Sequence, residues 1–286
     1  LGGMALAFVF AIRQLPEAVS LGEAFSVAGA LGKLQAIDYS ARLDTRYTFW
    51  SGITGGTFVA LAYFGTDQSQ VQRYLSGESL KQARLGLLMN GLLKVPMQLL
   101  ILLVGVLVFV FFQFNPSPVF FNAPVLETAR QSPIGPQIAQ LEQQHVAAAA
   151  EKSVLIEQWL AAQKTGADSG PVQASLRAVE KKDRGIRDAA KKLIQSNDRL
   201  ANTKDADYVF LTFIMTRFPP GLIGLLLAMI FCAAMSATAS ALTALSTTTM
   251  VDFYKRSVNP QVENDRAIRV TRLITFGWGV IAIGFA

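Results

Sequence analysis

Thiol and imidazole chemistry is almost missing from this chain, which holds one cysteine, Cys232, and one histidine, His145. A single cysteine inside an apolar run forms no disulfide framework within the chain and no thiolate metal site. His145 lies in a polar stretch with no second histidine or cysteine beside it, so it reads as a solvated surface residue. Charge is scarce as well: Asp, Glu, Lys and Arg make up 16% of 286 residues, where a soluble domain carries about a quarter. The formal charge of +6 does not point to nucleic acid. The basic residues lie in loops beside apolar spans, where they set orientation and touch anionic lipid. No Ser/His/Asp set and no glycine-rich phosphate loop after a strand is evident, so no enzyme is expected.

What the chain does hold is apolar length: 51% of its residues are hydrophobic. It opens with LGGMALAFVFAI before Arg13 and closes with LITFGWGVIAIGFA, each short of the roughly 20 residues that cross the hydrocarbon. There is no initiator Met and no charged n-region, which argues against a signal peptide. The expectation is a single transmembrane domain over 1–286, truncated at both ends. Residues 13–46 suggest a short interfacial helix followed by irregular chain. A first full span covers 48–66, with Gly52, Gly55 and Gly56 giving a smooth side for a neighbouring helix. A polar connection, 68–84, leads to a second span at 85–112, about 42 Å long at 1.5 Å per residue.

Residues 115–207 form a polar insertion. Ile138, Leu141, Val146, Leu155, Trp159 and Leu160 recur at helical spacing, a break falls at 166–170, and a second helical stretch runs over 172–200. This predicts a helical hairpin outside the bilayer, its charges forming a solvated face. A third apolar block, 208–250, is interrupted by Pro219, Pro220 and Gly221. A second basic connection, 252–272, follows. Loops 68–84 and 252–272 are both net basic and two crossings apart, so both are assigned to the cytoplasmic side of the cell (inner) membrane and the insertion to the outer side.

Three groups of residues could carry chemistry. The stretch 47–75 begins as a membrane helix and turns polar at Thr66, Asp67, Gln68, Gln72 and Arg73. Charge so close to hydrocarbon marks a functional pathway by default, the alternative being that Asp67 and Arg73 simply cap a helix at the interface. Next, Ser236, Ser240, Thr243 and Thr247 are spaced four, three and four apart and share one helix face. Such hydroxyls, with backbone carbonyls, suit a small hard cation, or they simply bond the carbonyl one turn back. Finally, Lys94 lies deep in the second span if that span starts at Leu85, and snorkels if it starts at Leu92. Tyr63 and Phe64 could close over a solute or belong to an interfacial aromatic belt.

The ordered set YFGTDQSQVQRYLSG, LLKVPM, and AAMSATAS through TMVDFYK resembles the sodium:solute symporter family, the sodium-coupled sugar, proline, vitamin and monocarboxylate carriers. The resemblance covers nearly all of the chain outside the insertion. It implies an all-α integral membrane protein, part of a five-plus-five inverted-repeat transporter fold with a helical extramembrane insertion. It implies sodium as coupling ion, no cofactor, and a small organic solute carried across the bilayer, and it says nothing of oligomeric state. Ala233 would offer sodium its carbonyl and Ser236 its hydroxyl, with Ser240 falling at an additional sodium position. Many relatives carry a second hydroxyl directly after that serine; here the position is Ala237, which leaves the site one ligand short and keeps a proton as the alternative coupling ion. Tyr63, Phe64 and Lys94 match solute contacts of the sugar carriers, with Phe64 in place of a Trp. Asp67, Gln68, Gln72 and Arg73 match a cytoplasmic gate. A membrane sensor module sharing the symporter fold is the alternative from another class.

Overall fold

A computed structural model describes residues 2–16, 19–34, 38–40, 48–75 and 79–285, and side chains throughout these except at Gly2, Met4 and residues 73–75. The charged residues Arg42, Asp44 and Arg46 and the aromatic Tyr47 lie outside them. All regular structure among the described residues is helical: α1 (Gly2–Arg13), α2 (Leu21–Ala30), α3 (Phe49–Gly65), α4 (Gln68–Leu75), α5 (Leu80–Phe114), α6 (Ala123–Arg130), α7 (Gly135–Thr165), α8 (Gly170–Asn197), α9 (Ala206–Arg217), α10 (Pro220–Thr248), a π-helical continuation of α10 (Thr249–Val258), and α11 (Asn264–Phe285).

Local chemistry explains the boundaries. The Ser20 side chain accepts the Glu23 N–H, and the Glu23 carboxylate accepts the Ser20 N–H at 2.6 Å. This reciprocal cap opens α2. Thr48 and Ser51 do the same for α3. Gly166 takes a left-handed φ of 69° after α7, a conformation glycine reaches without steric cost. Phe218 is extended ahead of Pro219, as a residue before proline prefers, and α9 ends there.

Among the described residues three helices are long and apolar enough to cross a membrane: α5, α10 with its π-helical continuation, and α11. The chain is a multi-pass, all-α membrane protein. At 35 residues α5 is about 52 Å long, because the residues expected as a polar connection over 80–84 are already its first turns. Residues 68–75 are helical too, as α4. Within the stretch expected to hold a short interfacial helix, the helix present is α2.

The chain divides into two compact units, residues 1–36 with 96–223 and residues 37–95 with 224–286. In the first, α7 and α8 are the most extensively packed pair of elements. Ile138 and Ala148 of α7 meet Val179, Ile186, Ala190 and Ile194 of α8, together with Val119, Phe120, Leu126 and Ala129. The second unit leaves its helix faces open. Among its described residues Thr48, Ala244, Ser246 and Met250 are the buried ones.

Candidate functional site

The second unit assembles the residues expected to meet solute. Tyr63 and Phe64 lie edge to face, ring centroids 5.0 Å apart. Lys94 of α5 places its Nζ 5.0 Å from the centroid of the Tyr63 ring, an attraction between ammonium and ring face that fixes the lysine beside the aromatic pair. Pro96, two residues on, lies within α5 and withholds an N–H from the carbonyl one turn before it, loosening the helix next to this cluster.

The polar row after α3 divides by role. Asp67 Oδ1 accepts the Ser69 N–H at 3.0 Å and the Ser69 hydroxyl at 2.6 Å, and the Asp67 carbonyl accepts from Val71 at the start of α4. The carboxylate therefore caps a helix, which is the plainer of its two readings. Gln68 begins α4, and Gln72 has its side-chain nitrogen buried without a partner among the described residues. The Arg73 side chain lies outside the described residues.

The hydroxyls of α10 and its π-helical continuation separate into two kinds. Thr238, Thr243 and Thr249 each donate to the carbonyl four residues back, those of Ala234, Ala239 and Leu245, at 2.7–3.0 Å. Ser246 donates to Thr243 O, three residues back, at 3.0 Å. Ser240 instead donates to the Ser69 carbonyl of α4 at 3.4 Å, which brings an expected ion ligand against the helix expected to form the gate. Ser236 makes no hydrogen bond among the described residues, and Ala233 and Ser236 are both exposed on α10. The two serines singled out from the sequence are thus ones whose hydroxyls are not satisfied by their own helix. Further on, the π-helical segment is tied to α11 by the Trp278 indole N–H, which donates to Thr249 Oγ1 at 3.0 Å.

The first unit corrects the sequence reading of His145. That residue is 3% exposed, not solvated. Its Nδ1 lies 2.5 Å from Asp183 Oδ1, and its Nε2 lies 3.1 Å from Ser117 Oγ and 3.0 Å from the Ser117 carbonyl. A Ser/His/Asp set therefore exists, contrary to the expectation. Its geometry is that of a strut. With Asp183 on Nδ1 and both oxygens of Ser117 on Nε2, one buried ring ties the segment after α5 to α7 and α8.

The charges of the hairpin are likewise not all a solvated face. Lys152 is buried and donates to Glu180 Oε2 and Asp183 Oδ2, both at 2.9 Å. Burial pushes the Asp183 carboxyl up, but the hydrogen bond from His145 and the charge of Lys152 outweigh it and hold the group down at about 2. Buried Asp205 accepts from Arg187 at 2.8 Å, Lys191 at 2.7 Å and the Phe121 N–H at 3.2 Å. Burial raises its carboxyl too, and the Lys191 hydrogen bond leads the opposing contacts that keep it below the ordinary aspartate range. A sequence signal was present. His145, Lys152 and Trp159 recur every seven residues on one side of α7, whereas Val146, one of the apolar residues counted at helical spacing, is 64% exposed.

Among the described residues no cluster of His, Cys, Asp or Glu could hold a metal ion. What the second unit offers a cation is neutral oxygen, and what it offers a solute is an aromatic pair with one ammonium.

Residues 189–286, which take in all of α10 and α11, match the sodium:solute symporter family. The human sodium/iodide cotransporter is 43% identical over 58 residues, 20% of this chain and 9% of that protein. The rabbit (Oryctolagus cuniculus) sodium-dependent multivitamin transporter is 24% identical over 270 residues, 93% of this chain and 29% of that protein. Human sodium-coupled monocarboxylate transporter 1 is 44% identical over 59 residues, 21% of this chain and 10% of that protein. No solved structure matches the chain. The family match is thus confined to the last third of the chain, and the similarity to the multivitamin transporter runs along nearly all of it. The chain spans less than a third of the length of these curated relatives.

Proposed function

We propose that the protein carries a small organic anion across the cell membrane together with sodium, by alternating access within a five-plus-five inverted-repeat fold. The observation that carries this reading is the division of hydroxyls on α10. Ser236 makes no hydrogen bond among the described residues and Ser240 turns to the Ser69 carbonyl, where Thr238 and Thr243 bond back to their own helix. Sodium would take the Ser236 hydroxyl and the Ala233 carbonyl, with Ser240 as a ligand of an additional ion. Ligands of this kind bind a monovalent cation without burying a carboxylate.

The solute class is argued from Lys94. Its ammonium sits against Tyr63 with no carboxylate partner among the described residues, so an anion beside the Tyr63–Phe64 pair would be neutralised there. Two relatives are named for iodide and for monocarboxylates, both single negative charges. Sodium then does double duty, since a cation in the same water-poor region also favours the anion. By linkage each ligand tightens the other, and loss of sodium to a low-sodium cytoplasm releases the solute. Gln68, Gln72 and Arg73, with the helix capped by Asp67, form the inner gate, with 68–84 and 252–272 cytoplasmic and 115–207 outside.

The test is uptake of radiolabelled lactate, iodide and a neutral sugar by vesicles carrying the complete protein. The expected result is accumulation of an anion driven by an inward sodium gradient and abolished when choline replaces sodium. Uptake that follows a pH gradient and ignores sodium contradicts the coupling, and preference for the neutral sugar contradicts the role given to Lys94.

A further inference from the structure

Away from the hydroxyl helix and the His145 network, one depression in the first unit gathers cations without matching anions. It holds about 430 Å³ and lies between the turn after α2 and one face of α8, lined by Gly32, Lys33, Arg177, Glu180, Lys181 and Arg184. Arg177, Lys181 and Arg184 are spaced four and three apart, so they stand on one side of their helix. Glu180 is the one carboxylate of the lining and is already engaged twice. Its Oε1 accepts from Arg184 Nε and its Oε2 from buried Lys152, each at 2.9 Å.

The remaining cations are positioned but unneutralised. Arg177 Nε donates to the Ala30 carbonyl at 2.9 Å, which orients the guanidinium and leaves its two terminal nitrogens for a ligand. Lys33 and Lys181 have no carboxylate partner among the described residues. Lys33 Nζ lies 4.7 Å from the centroid of the Phe109 ring. Partial desolvation, and then repulsion from Arg184, hold its ammonium below the usual lysine range. Phe109 belongs to the apolar run of α5 and precedes that helix's last residue, Phe114, by about 7.5 Å along the axis. Lys33 is therefore held against the last turns of a helix long and apolar enough to cross a membrane.

We infer that this depression binds a phosphate-type oxyanion presented at the bilayer surface, the headgroup of an anionic phospholipid. The forked guanidinium nitrogens of Arg177 and Arg184 match paired phosphate oxygens, and Lys33 and Lys181 add point charges from the two sides. The site is separate from the solute and sodium positions and does not depend on them.

The experiment is native mass spectrometry of the complete protein in detergent, titrated in turn with phosphatidylglycerol, phosphatidylcholine and inorganic phosphate. One phosphatidylglycerol is expected to be retained in preference to phosphatidylcholine. The Lys33→Gln/Lys181→Gln variant breaks no ion pair and is expected to lower that affinity about tenfold to thirtyfold. Lys182→Gln, at an exposed lysine 3.9 Å from Glu151, leaves it unchanged. Inorganic phosphate binding with the same sensitivity and no lipid preference supports the oxyanion site and assigns it to a free anion. Phosphatidylglycerol binding of equal strength in the parent and the double variant overturns the inference.

Discussion

Residues 1–36 with 96–223 and residues 37–95 with 224–286 treat polar and apolar groups in opposite ways. The first unit buries His145, Lys152, Glu180, Asp183 and Asp205 and pairs each of them. The second unit leaves Phe58, Val95, Phe231, Met235 and Phe276 each at least 67% exposed and keeps neutral hydroxyls along α10. Exposed apolar surface on this scale is what a bilayer covers, and a bilayer penalises charge. The hairpin unit must make its own interior, and there it can pay for charge with partners. The comparison explains why the candidate cation ligands are serine oxygens and a carbonyl, while carboxylates are confined to the insertion and the helix ends.

The largest expected effect attacks the buried network. Lys152→Met leaves Glu180 and Asp183 as neighbouring buried carboxylates with their shared cation gone, and is expected to destabilise the first unit by about 3–5 kcal/mol. Hydrogen exchange in the complete protein reads this as lost protection along α7 and α8, with α10 and α11 unaffected. Equal loss in all four helices would mean that the units do not differ as described. Asp205→Asn removes the charge that holds Arg187, Lys191 and the Phe121 N–H, and about 1–3 kcal/mol is expected for a buried charged acceptor.

The acid dependence follows from Asp183. Its folded value near 2 lies below the ordinary aspartate value of 3.8. The stabilisation is therefore fully present above about pH 4 and is lost as pH falls through about 2, amounting to about 2 kcal/mol. Asp205 shifts the same way. Acid unfolding followed by tryptophan fluorescence should show the Asp183→Asn variant with a shallower loss of stability below pH 4 than the parent, and parallel curves would remove Asp183 from the account. The smallest effect is expected at Val146→Lys, within about 0.5 kcal/mol, against a clear loss at His145→Leu one residue earlier. A thermal melt of the two variants checks which side of α7 is the buried one.

Much of the architecture was legible in composition and period. The long apolar helices α5 and α10, the break at Pro219 and the hairpin with its turn near Gly166 all arise from interactions within a few residues of each other. By contrast α3, expected as a full span, is not among the described helices long and apolar enough to cross, and α11, expected as a partial one, is. Burial of charge was not legible in that way, because Lys152 meets Glu180 and Asp183 only when α7 folds back on α8, and helical spacing within one segment does not say which polar residues a distant segment will satisfy. The same holds for Ser240, whose partner is the Ser69 carbonyl, and for Lys94, which finds Tyr63 from another helix. The α4 helix carried a readable sign, Asp67 with Ser69 two residues on, that the polar composition of 68–84 outweighed. Reading the histidine as lone was correct in sequence and wrong in space.

The most direct measurement is the sodium activation curve of anion uptake by vesicles bearing the complete protein, compared between the parent and Ser236→Ala. If the Ser236 hydroxyl is an ion ligand, half-maximal uptake should need roughly tenfold more sodium in the variant, a loss of about 1.4 kcal/mol, with uptake at saturating sodium largely kept. Superimposable curves would contradict the assignment of the ion to α10.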